Sequence, residues 1–164
     1  MPPVLPGKVI SERIAKKFDV FQGLTREQII ELNSWMVRKE FRPNEYIFKE
    51  GDKADGLYVL CQGSVMIIKE SARGKFKLAE LDAPNFFGEM AILHKGVRSA
   101  SARSSSVCVL GFLPVGLFGQ KLNLNNLTAF RISLNVGRVL AERLHDTDNS
   151  LSKKAAISMR MKWG

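Results

Sequence analysis

The chain has 164 residues, 45% of them hydrophobic and 25% charged, the make-up of one soluble domain with its own core and too short for two. Its longest apolar run, Val107–Gly119, is broken by Pro114 and falls short of the about 20 residues a membrane helix needs. Of the formal net charge of +9, Lys153, Lys154, Arg160 and Lys162 supply four charges from the last 14 residues, so the excess does not describe a nucleic-acid-binding face.

Residues 1–10 read as a loose leader without the basic start and apolar stretch of a signal peptide. Ser11–Phe18 predicts a short helix, with Ile14 and Phe18 four apart on one face. Thr25-Arg26-Glu27-Gln28 has capping-box spacing. The helix it opens is expected to reach about Arg38, facing the core with Ile29, Leu32 and Met36 or with Ile30 and Val37. Phe41-Arg42-Pro43-Asn44 breaks it. Short β-rich runs then alternate with turn residues: Tyr46–Phe48, Leu57–Cys61, Val65–Lys69, Phe76–Leu81 and Val107–Leu113, separated at Gly51, Asp55-Gly56, Gly63, Gly74 and Pro84-Asn85. Such spacing predicts an antiparallel sandwich or roll, not a parallel sheet with crossover helices. After Asn126, Ala129, Ile132, Val136, Val139, Leu140 and Leu144 recur three or four apart, a helical face up to about Ser150. Gly137 inside it costs about 1 kcal/mol relative to alanine, which points to close packing or a flexible point. Cys61 and Cys108 lie in apolar strand-like runs and read as buried free thiols, consistent with the cytoplasm.

The chemistry concentrates between Phe86 and Ser101. Gly88 lets the backbone turn tightly and approach a ligand closely. Glu89–Leu93 reads as a short helical turn whose free N–H groups suit an anion. Arg98, nine residues after Glu89, carries a planar fork that grips two phosphate oxygens at once. An ionised Glu89 only accepts hydrogen bonds, so beside a phosphate it suits a sugar hydroxyl. A carboxylate for a ribose diol and a guanidinium for its phosphate point to a nucleotide.

At these residues the chain resembles the cyclic nucleotide-binding domain family, whose phosphate-binding cassette reads F-G-E-hydrophobic-A, a short loop, then R-[ST or A]-A-[ST]. Phe87-Gly88-Glu89-Met90-Ala91 and Arg98-Ser99-Ala100-Ser101 match both halves in register. Glu50-Gly51-Asp52, Leu57-Tyr58-Val59-Leu60 and Gly63-Ser64-Val65 resemble further signatures of the family, and the likeness extends from about Phe21 to Ser150. Val97 departs from it, where many relatives have proline. The resemblance implies a mainly β, α+β fold: an antiparallel β-roll or jelly roll with N-terminal helices, a short cassette helix and a C-terminal lid helix. It implies an N-terminal extension over 1–20, a cyclic nucleotide-binding domain over 21–150 and a basic tail over 151–164. Phe87, Gly88, Glu89, Met90, Ala91, Arg98, Ser99, Ala100, Ser101 and Val65 are its expected ligand-binding residues, joined by Arg143, which aligns with a helix position that reaches the base in some relatives.

Catalysis finds little support. His94 and His145 are the only histidines, no G-x-S-x-G elbow or Walker A loop occurs, and Ser104, Ser105 and Ser106 lack a local acid/base partner. The expectation is therefore a non-enzymatic cytoplasmic sensor of cAMP, favoured over cGMP, with no metal and no other cofactor. Ser99 permits either base. About 14 residues after the lid helix are too few for the helix-turn-helix of DNA-binding relatives, so output is expected through a protein partner or a homodimer. The alternative is a scaffold of this family that has lost its ligand and acts as an adaptor.

Overall fold

The computed structural model describes residues 9–72 and 74–163, with 154–163 as backbone alone. Ser11 caps a one-turn helix, α1 (Glu12–Ala15), and a 3-10 turn follows at Asp19–Phe21. The capping box of α2 (Arg26–Trp35) closes in both directions: Gln28 N–H donates to Thr25 Oγ1 at 3.3 Å, and Thr25 N–H to Gln28 Oε1 at 3.0 Å. The buried face is Ile29, Leu32 and Met36, while Ile30 and Val37 are exposed.

The helix ends at Trp35, short of the expected Arg38. Val37–Phe41 instead forms β1, paired antiparallel with β8 (Cys108–Pro114). Long-range pairing explains the correction: β1 lies at a sheet edge, and its charged middle carries no local strand signal. Gly111 of β8 permits the closure. A Cβ there would sit 2.4 Å from Met36 Cε and 2.7 Å from Val9 Cγ1.

The remaining strands are β2 (Tyr46–Phe48), β3 (Gly56–Gln62), β4 (Ser64–Ser71), β5 (Gly74–Asp82), β6 (Asn85–Phe87) and β7 (Ser101–Ser104). They form two four-stranded antiparallel sheets, ordered β1-β8-β3-β6 and β2-β7-β4-β5. This is the predicted β-roll with flanking helices. β6 and β7 are additions, too short and, in β7, too polar to read as strands. β7 nevertheless runs between β2 and β4, and its buried hydroxyls are satisfied. Ser101 Oγ accepts from Glu50 N–H at 2.9 Å, and Ser104 Oγ bonds residues 42 and 45.

β3 separates two cores. Leu57 and Val59 pack with Phe18, Phe21, Leu32, Phe118 and Ile132 on the helical side, whereas Tyr58 and Leu60 join Val65, Phe87, Leu110 and Phe112 inside the roll. Burial on both faces explains why Leu57–Leu60 is apolar without alternation. Cys108 is buried and Cys61 half-buried, both as free thiols, and burial pushes the Cys61 thiol up to about 11.

Three further helices follow: α3 (Met90–Leu93), α4 (Val115–Asn123) and α5 (Leu127–Trp163). Helix α4 carries little signal in the sequence, because Gly116 and Gly119 dilute its helical pattern. Asn126 caps α5 by accepting from Ala129 N–H at 3.0 Å, and Ala129, Ile132, Val136 and Val139 are buried. The packed face ends before Leu144, which is 63% exposed. A Cβ on Gly137 would meet nothing within 4 Å, so close packing is not why glycine stands there. α5 runs through Ser150-Leu151 without a break, so the tail boundary expected there falls inside a helix. Val9, Ile10 and Phe18 likewise share the main core with later helices, joining the expected N-terminal extension to the domain. The leader up to Lys8 and the side chains of Lys154, Met159, Arg160, Met161, Lys162 and Trp163 lie outside the described residues. Among the described residues no helix is long and apolar enough to cross a membrane.

Candidate functional site

A cavity of about 450 Å³ opens between β4–β5, the segment around α3, and α5. Phe87, Gly88, Glu89, Met90, Ala91, Arg98, Ser99, Ala100 and Arg143 all line it. The two halves of the motif, separated in sequence, meet on one cavity. Gly88 takes φ +75°, and a Cβ there would lie 2.5 Å from Arg98 Nη1, so glycine is needed for both conformation and space.

Arg98 is 5% exposed. Its Nη2 donates to Asp55 Oδ1 at 2.6 Å and to Gly56 O at 2.8 Å, and Nη1 to Gly88 O at 3.3 Å. Its guanidinium lies 4.1 Å from the centre of the Phe48 ring, a cation–π contact inside a group of rings that includes Tyr58 and Phe87. Nε is buried and has no partner among the described residues. Burial and the nearby Asp55 charge push the Tyr58 hydroxyl up to about 12, against the opposing pull of Arg98. Tyr58 is thus neutral at physiological pH, and Asp55 is the counter-charge of the buried guanidinium.

The turn Glu50-Gly51-Asp52 fixes the backbone that carries Arg98. Arg98 N–H donates to Asp52 O at 2.7 Å, Gly51 N–H to Arg98 O at 2.9 Å and Ala54 N–H to Gly96 O at 3.0 Å. These bonds make an irregular ladder between the two loops and give the turn its part in the site.

Glu89, 6% exposed, precedes the first residue of α3. Its Oε1 accepts from Nη1 of Arg143, whose guanidinium also lies 5.2 Å from the centre of the Phe86 ring. Arg143 therefore caps the cavity edge from α5 while paired with the carboxylate expected to meet a sugar.

Residues 38–125 match the profile described as the cyclic nucleotide-binding domain. The chain belongs to the cyclic nucleotide-binding domain family. The cyclic AMP receptor protein of Thermus thermophilus is 31% identical over 137 residues, 80% of this chain and 60% of that protein. A cGMP-dependent protein kinase of Caenorhabditis elegans is 31% identical over 103 residues, 63% of this chain and 13% of the kinase. The crystal structure of the Thermus thermophilus catabolite activator protein superposes with a TM-score of 0.72 at 28% identity, covering 84% of this chain and 63% of that one. The chain thus spans less than two thirds of each of these relatives.

Two expected contacts of this cyclic nucleotide-binding domain fall outside the cavity lining. Val65 is fully buried in the roll's core, and Ser101 is turned to the Glu50 amide. The apolar wall formed by Phe48, Ile67, Leu78, Ala79 and Leu81 was missed. Alternation alone does not place it. The β4–β5 register pairs Ile67 with Ala79 but Ile68 with Lys77, and this bulge lets neighbouring Leu78 and Ala79 both line the cavity. In sequence Asp55 is a turn residue, and its position directly before the buried Gly56–Leu60 stretch is the one signal of its pairing with Arg98. Among the described residues, no group of three or more His, Cys, Asp or Glu is arranged to hold a metal ion.

Proposed function

We propose that this domain binds a 3′,5′-cyclic mononucleotide, cAMP in preference to cGMP, and reports it through α5. The observation that carries the reading is the meeting of Glu89 and Arg98, 6% and 5% exposed, on one cavity. Arg98 and the amides opening the Glu89 turn hold the phosphate, and the Nε of Arg98 is a buried donor with no partner among the described residues. Glu89 accepts the ribose 2′-OH, and Arg143 shifts from the carboxylate toward the base. Relatives named for cAMP in Thermus thermophilus and Mycobacterium tuberculosis support the choice of base. Ser99 keeps cGMP as the second candidate.

Output passes through a second copy of the chain. Leu127, Phe130, Leu134, Leu144 and Leu151 are exposed on α5; with Gly137 and Ala141 they follow a three–four spacing suited to a helical seam as far as Leu144, and Leu151 stands one heptad further on, beyond Asp148. A ligand biases this assembly by binding one position of α5 better than another. The competing reading, a ligand-free adaptor, draws support from the internal pairing of both charged groups, Arg98 with Asp55 and Glu89 with Arg143.

Calorimetry with the two nucleotides separates these readings. Saturable binding is expected, tighter for cAMP, and Arg98→Ala weakens it about tenfold to several hundredfold, since a hydrogen bond to a charged group is worth roughly 1.5–3 kcal/mol. No heat with either nucleotide at millimolar concentration supports the adaptor. A preference for cGMP that disappears in Ser99→Ala reverses the choice of base.

A further inference from the structure

Lys69 pairs with Glu50 at 2.6 Å, and both side chains are partly exposed. An exposed lysine–glutamate pair ordinarily contributes little. This one has an additional connection. Lys69 Nζ also donates to Ser99 O at 2.6 Å, the carbonyl of the residue directly after Arg98. The other oxygen of Glu50 accepts from Glu70 N–H at 3.0 Å, and Glu50 N–H donates to Ser101 Oγ at 2.9 Å.

These bonds bridge a gap in the backbone pairing. The β4–β7 ladder begins where Ile68 faces Ser101. Arg98 is held on its other side, by Asp52 and Gly51. Between them stands Ser99, whose carbonyl is tied to β4 by Lys69. On β4, Lys69 is two residues beyond Ile67, which lines the cavity. A rigid strand is thus coupled to the loop bearing the buried guanidinium, and a lysine ammonium has enough donors to bond carboxylate and carbonyl together.

We infer that Lys69 is a positioning residue for the anion site, holding Arg98 through the Ser99 carbonyl with Glu50 as its anchor. Its part in ligand affinity rests on the cyclic nucleotide reading; its part in ordering the loop does not. Hydrogen exchange on the ligand-free protein reads the second directly. Lys69→Met should speed exchange of the Arg98 and Gly51 amides at least fivefold and leave the central β4–β5 amides unchanged. Lys69→Arg, which retains charge and donors, should restore most of the protection. Lys77→Met, which breaks the exposed pair with Glu80, serves as the control and should do nothing to the loop.

Titration of the same proteins with cAMP and cGMP should then give about tenfold weaker binding for Lys69→Met and near-normal binding for Lys69→Arg. Unchanged loop exchange in Lys69→Met overturns the inference. Faster exchange with affinity within twofold overturns the positioning role. Faster exchange in a protein whose wild type binds neither nucleotide upholds the strut and rejects the nucleotide reading. Equal losses in the Met and Arg variants overturn the assignment to this ammonium's bonds.

Discussion

At the scale of single residues, the site depends on how a buried guanidinium is tolerated. Removing Arg98 from water is costly unless its charge and N–H groups find partners. Asp55 supplies the charge from a half-exposed position, while Gly56 and Gly88 supply carbonyls. In the proposed complex a phosphate would compete with Asp55 for this charge, yet Asp55 also keeps the fork in position before any ligand arrives. We expect positioning to dominate, because the two carbonyl bonds cannot neutralise a cation. Asp55→Asn should lower stability by about 1–3 kcal/mol, more than a surface pair, because it leaves a buried guanidinium without its counter-charge, and weaken cyclic nucleotide binding several-fold. Thermal melts and calorimetry check this. Tighter binding in Asp55→Asn would mean that competition prevails.

At the scale of elements, legibility followed locality. The capping box at Thr25 and Gln28, the strands around Leu57 and Val65, and both halves of the cassette depend on neighbours within a few residues. All were readable. β1 and β7 depend on distant partners, and Leu78 enters the cavity through a bulge that no alternation encodes. Asp55 and Lys69 likewise acquire their roles from folding, which brings them to Arg98 and Ser99. Gly137 was recognised as an interruption, but its surroundings decide its consequence. With nothing of its own chain near the place of a Cβ, and a single methyl small enough for the proposed seam, Gly137→Ala should stabilise α5 by up to about 1 kcal/mol, raising the melting temperature by roughly 2–4 °C for a domain of this size. A lower melting temperature would show that the helix bends at this point in a way alanine opposes. An unchanged melting temperature alongside altered nucleotide affinity would give the glycine a role in switching.

For the whole molecule, the decisive asymmetry lies along α5. Its first part is held by the core and by polar ties: Asn126 and Thr128 donate to Glu31, and Asn135 to the carbonyls of residues 20 and 22. Every residue from 141 to 153 is exposed. Among these described side chains, Arg143 provides the tie to the roll, through Glu89 and Phe86. A projecting helix with so little cover is only marginally stable in water, so a second copy is expected to pack along Leu127, Phe130, Leu134, Leu144 and Leu151. Light scattering at tens of micromolar should report a dimer. Leu144→Glu should convert it to a monomer and lower the helical signal, since a carboxylate in the seam resists burial. The substitution is far enough from the roll's core for the β-sheet signal to persist. Arg143→Ala separates assembly from sensing: it should leave the dimer intact while changing affinity for at least one nucleotide more than twofold. A monomeric wild type with an undiminished helix would overturn the seam. A dimer whose nucleotide affinity ignores Arg143 would keep the seam but remove the cap.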